Sequence, residues 1–147
     1  KLVELSLDVK KWYIEQDPTE TKGIRQMLNL GHTFAHALES SSHFGNWSHG
    51  AAVAWGTCRA LEAGVVLQVT DKAYATGATK LFKSYGYDIE HRIGRGDWIE
   101  FRDHLLKDKK KADGKVLFVL LQGQGKGVLS PLEMPLIQHL VIAKPIF

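Results

Sequence analysis

Residues 25–40 read RQMLNLGHTFAHALES, and this stretch decides the fold because its polar and apolar residues separate at helical spacing. A continuous α-helix would hold four of its polar side chains within about 60° of one face. These are Arg25, Asn29, His32 and His36. Burying a guanidinium, an amide and two imidazoles in a core is costly. We therefore predict a helix over about residues 24–41 whose polar stripe lines a cavity.

Size and composition indicate a single globular domain. The chain has 147 residues, of which 44% are hydrophobic and 24% are charged. The net charge of +3 allows an anionic substrate, and no interleaved aromatic and basic pattern indicates nucleic-acid binding. The single cysteine, Cys58, excludes an internal disulfide and favours a reducing, cytoplasmic location. Charged or polar residues interrupt the apolar stretches, so we predict no membrane span.

The remaining patterns predict a mainly α, multi-helical fold with a small β-hairpin. Apolar periodicity and capping residues predict four further helices, at residues 1–16, at 49–68, from Thr70-Asp71 to near Gly86, and directly after Asp97. Residues 115–121 (KVLFVLL) predict a strand, which the turn GQGKG joins to a short strand at Val128-Leu129. Ser130 to Glu133 has capping-box spacing and predicts the start of a last helix.

Several runs of sequence, in order from about Lys10 to Gly127, resemble the C-terminal domain of 3-dehydroquinate synthase. They are DPTETKGIR, RQMLNLGHTFAHALE, HGAAVAWG and the later DKK, Gly and FVLL. This family of sugar phosphate cyclases uses NAD and a divalent metal, zinc or cobalt. The resemblance implies conversion of 3-deoxy-D-arabino-heptulosonate 7-phosphate to 3-dehydroquinate and phosphate, a lyase step of the shikimate pathway of aromatic amino-acid biosynthesis.

Histidines are the candidate metal ligands, since zinc readily takes imidazole nitrogen. Spacing alone favours His32 with His36, which lie four residues apart on one helix face. The resemblance instead implies His32 and His49 as ligands, with a glutamate upstream of residue 1 as the third. It implies a catalytic role for His36 near the phosphate, where a near-neutral imidazole can manage a proton.

The substrate-binding residues are implied by the same resemblance. Arg25 would hold the substrate carboxylate through its fork of donors, and Asn29 would hydrogen-bond the substrate. A lysine that contacts the substrate carboxylate in this family corresponds to Lys10, or to Lys11 if the two sequences are aligned one residue differently. The run of lysines near the predicted strand makes Lys109 or Lys110 a phosphate contact.

No glycine-rich dinucleotide motif follows a predicted strand. We therefore interpret residues 1–147 as the helical metal- and substrate-binding C-terminal domain, with the N-terminal NAD-binding domain absent and the chain alone inactive. The expected partners are a phosphorylated keto acid, the N-terminal domain and a second subunit of a homodimer. Ala35 and Ala51 stand where the family usually has Gly and Glu. The alternatives are a related cyclase, a metal-dependent alcohol dehydrogenase, and a helical binding module without catalysis.

Overall fold

The structure, a computed structural model, describes residues 1–41, 47–107 and 116–147. The described parts form six α-helices, two short 3-10 helices and one two-stranded antiparallel sheet, which confirms the mainly α prediction with a hairpin. In chain order they are α1 (Leu2–Gln16), a 3-10 helix (Arg25–Asn29), α2 (His32–Ser40), α3 (His49–Val66), α4 (Lys72–Ser84), a second 3-10 helix (Arg95–Asp97), α5 (Trp98–Lys107), β1 (Leu117–Gly123), β2 (Lys126–Pro131) and α6 (Met134–Ile142).

Helix α3 is the centre of the fold, and most of its residues are buried. Its many small residues let neighbouring elements approach closely, as the sequence predicted. Trp55 anchors this packing: its ring meets Phe34 of α2 edge-on, with centroids 6.3 Å apart, and its Nε1 donates to the carbonyl of His91 at 2.9 Å. Phe34 in turn packs against Phe118 of β1, with centroids 4.6 Å apart. The core therefore fixes α2, α3 and the hairpin relative to one another.

The predicted continuous helix over 24–41 is wrong, because the chain breaks at Gly31. Leu30 is extended (ψ 123°) and Gly31 has a φ of +79°, so a 3-10 helix ends before α2 begins at His32. A Cβ on Gly31 would lie 2.5 Å from Oγ1 and 2.6 Å from the backbone N of Thr57 in α3. The break results from this close approach of α3, which leaves room for glycine alone.

The predicted hairpin is confirmed, whereas the predicted start of the last helix is wrong. Strands β1 and β2 pair from Leu117 with Pro131 to Gly123 with Lys126. Ser130 pairs with Phe118 in this ladder, so it is not available as a helix cap. Helix α6 instead begins at Met134, with Pro135 in its first turn.

Helix α1 has no buried residue, although half of its residues are apolar. Leu2, Leu5 and Trp12 are 77%, 54% and 53% exposed. The helix meets the rest of the structure near its C-terminal end, where Trp12 and Tyr13 line a groove beside the hairpin. In the described parts of the chain, no helix combines the length and the apolar character needed to cross a membrane.

Candidate metal and substrate site

Three imidazoles converge where the first residue of α3 lies beside α2. The ring centroid of His32 lies 5.7 Å from that of His36 and 5.3 Å from that of His49. The centroids of His36 and His49 are 6.2 Å apart, with nearly parallel rings. His32 is the first residue of α2, His36 follows one turn later and His49 is the first residue of α3. The structure thus brings together three of the site residues that the sequence predicted.

Two of these rings are oriented through Nδ1. The Nδ1 of His32 lies 3.2 Å from the carbonyl oxygen of Leu30, and the Nδ1 of His49 lies 3.1 Å from Oε1 of Glu39. A carbonyl and a carboxylate can only accept, so both contacts require a proton on Nδ1. In the neutral imidazole this tautomer leaves Nε2 as the nitrogen with a free lone pair, which is the atom that can bind a metal ion.

The separation of His32 and His49 fits a shared metal ion. With each Nε2 at the usual zinc distance and a tetrahedral angle between them, the two ring centroids would be about 5 Å apart. Among the described residues, no group of three His, Cys, Asp or Glu side chains is arranged to hold a metal ion. Cys58 is no thiolate ligand, because burial raises the pKa of its thiol to about 11. Among the described residues, His32 and His49 are therefore the two side chains whose spacing suits a shared metal ion.

Arg25 lies at the start of the 3-10 helix and is held by the preceding loop. Its Nη1 donates to the carbonyl of Pro18 at 3.4 Å, and its Nε lies 3.9 Å from Oε2 of Glu20. The side chain is 38% exposed, and an ion pair this long and exposed is weak. The guanidinium can therefore exchange Glu20 for another carboxylate at little cost.

Asp17 shapes this loop. Its buried carboxylate accepts backbone N–H bonds from Thr21 at 2.9 Å, Lys22 at 3.1 Å and Arg25 at 3.3 Å. Burial alone would raise the pKa of Asp17, but these backbone bonds outweigh it and lower the pKa. The charged carboxylate thus fixes the path of the chain into Arg25.

The other predicted substrate residues lie outside the imidazole cluster or outside the described residues. Asn29 is exposed and lines a separate pocket of about 280 Å³ with Gln26 and Thr33, against the hairpin. Lys10 is exposed on α1, whereas its alternative Lys11 lies 3.8 Å from Glu15. Lys109 and Lys110 fall outside the described residues.

Sequence reasoning missed the roles of Glu39 and Asp17. Glu39 follows His36 by three residues, so helical spacing already placed it on the same side of α2. Its partner His49 belongs to the next helix, and no local pattern links them. Of the two departures from the family pattern, Ala35 is fully buried in the core and the backbone N–H of Ala51 donates to the Ser48 hydroxyl at 3.3 Å.

Solved structures share this fold. A crystal structure of 2-deoxy-scyllo-inosose synthase complexed with carbaglucose-6-phosphate, NAD+ and Co2+ matches with a TM-score of 0.70 at 23% identity, covering 82% of this chain and 35% of that one. A second structure of a 2-deoxy-scyllo-inosose synthase matches with a TM-score of 0.65 at 19% identity, covering 82% and 34%. The chain therefore shares its fold with about a third of each of these two structures.

Sequence comparisons define the family. The family model described as 3-dehydroquinate synthase C-terminal matches residues 1–111. A bifunctional 3-dehydroquinate synthase/phosphatase of Fusobacterium nucleatum is 39% identical over 84% of this chain and 18% of its own length. A 3-dehydroquinate synthase of Campylobacter jejuni is 33% identical over 88% of this chain and 36% of its own. The chain belongs to the 3-dehydroquinate synthase C-terminal family, and it spans about a third or less of these relatives.

Proposed function

We propose that this chain is the metal- and substrate-binding domain of a 3-dehydroquinate synthase. The complete enzyme would convert 3-deoxy-D-arabino-heptulosonate 7-phosphate to 3-dehydroquinate and phosphate. The observation that carries the proposal is the pairing of His32 and His49, whose Nδ1 atoms are both engaged while their rings lie 5.3 Å apart. A helical binding module without chemistry has no need of two imidazoles oriented in this way.

In this proposal His32 and His49 hold the metal ion, and a glutamate of the preceding domain supplies the third ligand. When bound, a divalent metal polarises a substrate oxygen as a Lewis acid, and NAD exchanges hydride with the substrate. His36 lies one turn along α2 from His32 and would hold or move the proton that accompanies loss of phosphate.

Arg25 would bind the substrate carboxylate through two parallel N–H bonds, which fixes orientation as well as position. The Asp17 carboxylate pre-orders the loop before Arg25, so little conformational entropy is lost when the substrate binds. Asn29 and Lys10 would add polar contacts to the substrate from the 3-10 helix and α1. Lys109 or Lys110 would contact the phosphate.

We further propose that an N-terminal NAD-binding domain completes the site and that residues 1–147 alone are inactive. The apolar residues of α1 support this arrangement, because exposed apolar side chains on a helix without a buried face favour a covering partner. In the complete enzyme that partner would be the preceding domain of the same chain.

A chimaera tests the proposed function. Residues 1–147 would replace the corresponding region of the Campylobacter jejuni relative, and the product formed with NAD and zinc or cobalt would be identified by NMR. We expect phosphate release and 3-dehydroquinate from the heptulosonate phosphate, and neither from the isolated chain. The same chimaera carrying His32→Ala, expected to be folded and inactive, is the matched control.

Product identity separates the candidate reactions. A chimaera that cyclises a hexose phosphate and ignores the heptulosonate phosphate would show a related cyclase with a different substrate. A folded chimaera that binds metal and NAD but oxidises simple alcohols would show a dehydrogenase. Dehydroquinate formation by the isolated chain would overturn the two-domain proposal.

A further inference from the structure

A pocket of about 280 Å³ lies between the 3-10 helix Arg25–Asn29, the first turn of α2 and the hairpin. The helices and the loop before them contribute polar side chains to its lining, which are Glu20, Gln26, Asn29 and Thr33. The hairpin contributes apolar side chains, which are Leu117, Val119 and Leu129. The pocket therefore presents hydrogen-bonding groups and an apolar surface to the same space.

The amides of Gln26 and Asn29 lie on the same side of the 3-10 helix, because residues three apart in such a helix stand one above the other. Thr33 joins them from the first turn of α2, directly after the proposed metal ligand His32. In the described part of the chain, no hydrogen bond joins the side chain of Gln26, Asn29 or Thr33 to another residue. Two amides and one hydroxyl are therefore available to a ligand.

The hairpin supplies the apolar surface of this pocket. Leu117 and Val119 are alternate residues of β1 and so face the same side of the strand, and Leu129 of β2 pairs with Val119. An apolar surface suits the C–H groups of a carbon chain or ring, whereas amides and a hydroxyl suit its hydroxyl groups. This combination fits a sugar or another polyol better than it fits a purely apolar ligand.

Charge and size narrow the occupant further. Glu20 is the charged residue among the described residues of the lining, and its carboxylate would repel an anionic group inside the pocket. Its Oε2 lies 3.9 Å from Nε of Arg25, so the guanidinium stands at the edge of the pocket. At roughly 30 Å³ per water the space equals about nine water molecules, enough for a hydroxylated six-carbon unit and too little for a nucleotide. The pocket therefore suits the neutral part of a ligand whose carboxylate meets Arg25.

We propose that Gln26 and Thr33 are specificity-determining residues which, together with Asn29, bind the hydroxyl groups of a polyhydroxylated carboxylic acid. This inference rests on the proposed function for the carboxylate on Arg25, and it deepens that function by assigning the hydroxyl groups to a defined pocket. An analogue without those hydroxyl groups would leave the two amides and the hydroxyl of the protein without partners, so it binds more weakly.

The test compares quinate with cyclohexanecarboxylate, which share a six-membered ring and a carboxylate and differ in their hydroxyl groups. Each is titrated into the isotopically labelled 147-residue chain at constant ionic strength. The backbone amides and the side-chain amides of Gln26 and Asn29 are followed by NMR. We expect saturable shifts with quinate at residues 26–33, and an affinity at least about threefold higher than for cyclohexanecarboxylate.

Two variants, Gln26→Met and Thr33→Val, remove the hydrogen-bonding groups at nearly constant volume. Each should weaken quinate binding by about threefold to tenfold, the usual net contribution of a hydrogen bond, and leave cyclohexanecarboxylate binding unchanged. The matched controls make the same changes outside the pocket, with Gln138→Met on α6 and Thr76→Val on α4. Neither control should change the affinity for quinate.

Absence of saturable quinate shifts at residues 26–33 would overturn the inference, as would equal affinities for the two ligands or variants that weaken both alike. Arg25→Lys separates the inference from the proposed function. Weaker quinate binding in Gln26→Met and Thr33→Val, with no effect of Arg25→Lys, would support the pocket and count against the carboxylate contact. Weaker binding in Arg25→Lys alone would support the carboxylate contact and overturn the pocket.

Discussion

Oε1 of Glu39 lies 3.1 Å from Nδ1 of His49, across the junction between the last turn of α2 and the first residue of α3. The two residues are ten positions apart, and this contact sets both the tautomer and the orientation of the His49 ring. A carboxylate in this position also raises the basicity of the opposite ring nitrogen.

Glu39→Gln should therefore weaken metal binding by about ten- to a hundredfold, because the amide can also present a donor to Nδ1 and no longer fixes the tautomer. The measurement is a competition titration of the chimaera against a chelator of known affinity. Glu4→Gln, on exposed α1, is the control and should leave metal affinity unchanged. Unchanged affinity in Glu39→Gln would mean that the Glu39 contact does not support metal binding by His49.

The three histidines should separate by their effects on metal binding and on turnover. His32→Ala and His49→Ala should abolish tight metal binding, since each removes one of the three proposed protein ligands. His36→Ala should keep the metal and lower kcat by about 10²- to 10⁴-fold, the usual contribution of a proton-transferring side chain. Metal content and kcat, measured on the same preparations, check this. Loss of metal in His36→Ala with retention in His49→Ala would reverse the assignment.

Arg25→Lys should raise the KM for the phosphorylated keto acid by about tenfold or more, because lysine keeps the charge and loses the paired donors. The affinity for NAD should not change. Steady-state kinetics of the chimaera provide the measurement, and Arg102→Lys on α5, where the Arg102 side chain is 41% exposed, is the control. An unchanged KM in Arg25→Lys would count against a carboxylate contact.

Gly31→Ala should destabilise the domain by roughly 2–4 kcal/mol, since a Cβ would be strained at positive φ and would collide with α3. The added methyl group would meet Oγ1 and the backbone N of Thr57. Denaturant unfolding gives the free-energy difference. Gly77→Ala is the matched control: no heavy atom lies within 4 Å of its Cβ position, so it should stabilise α4 by up to about 1 kcal/mol. Equal effects of the two changes would contradict the close approach.

Glu62 should make folding stability depend on pH. Burial raises its pKa from 4.5 to about 7, and the attraction of Arg59 opposes that rise. Between these two values the folded state holds a proton that the unfolded state has lost, so the contribution of Glu62 to stability is highest below about pH 4.5 and falls as the pH rises from there to about 7. The fall should be at most about 3 kcal/mol.

Unfolding free energies of the wild type and Glu62→Gln, measured from pH 5 to 8, check this expectation. The other ionisable groups are common to both proteins, so only the difference between the two curves reports on Glu62. The wild type should lose stability relative to Glu62→Gln as the pH rises. A difference that stays constant with pH would show that Glu62 remains ionised beside its two arginines.

Apolar periodicity and turn residues predicted the helices and strands that depend on neighbouring residues in the sequence. The small and apolar residues of 49–68 predicted the central helix, and the turn after Leu121 predicted the hairpin. The break at Gly31 was missed because it depends on Thr57, which lies 26 residues later in the chain. The start of α6 was placed too early because Ser130 is engaged in the sheet, where pairing with Phe118 outweighs a local cap.

In the candidate site, too, contacts between residues close in the sequence were predicted and contacts between distant residues were not. Helical spacing identified His32 and His36 as neighbours, but it could not bring in His49, which reaches them only through the packing of α2 on α3. His49 entered through the family resemblance alone. The predicted helical stripe also placed Arg25 and Asn29 beside the histidines. Because the chain breaks at Gly31, these two residues do not share a helix with His32 and His36.

The break at Gly31 also places Arg25 and the two histidines of α2 on separate structural elements. Arg25 begins the 3-10 helix, after a loop whose backbone N–H groups bond to Asp17, whereas His32 and His36 belong to α2, which is packed into the core. Under the proposed function, substitutions between residues 17 and 29 would change substrate recognition without moving the imidazoles. A domain built in this way would acquire a new substrate during evolution while the proposed metal site stays in place.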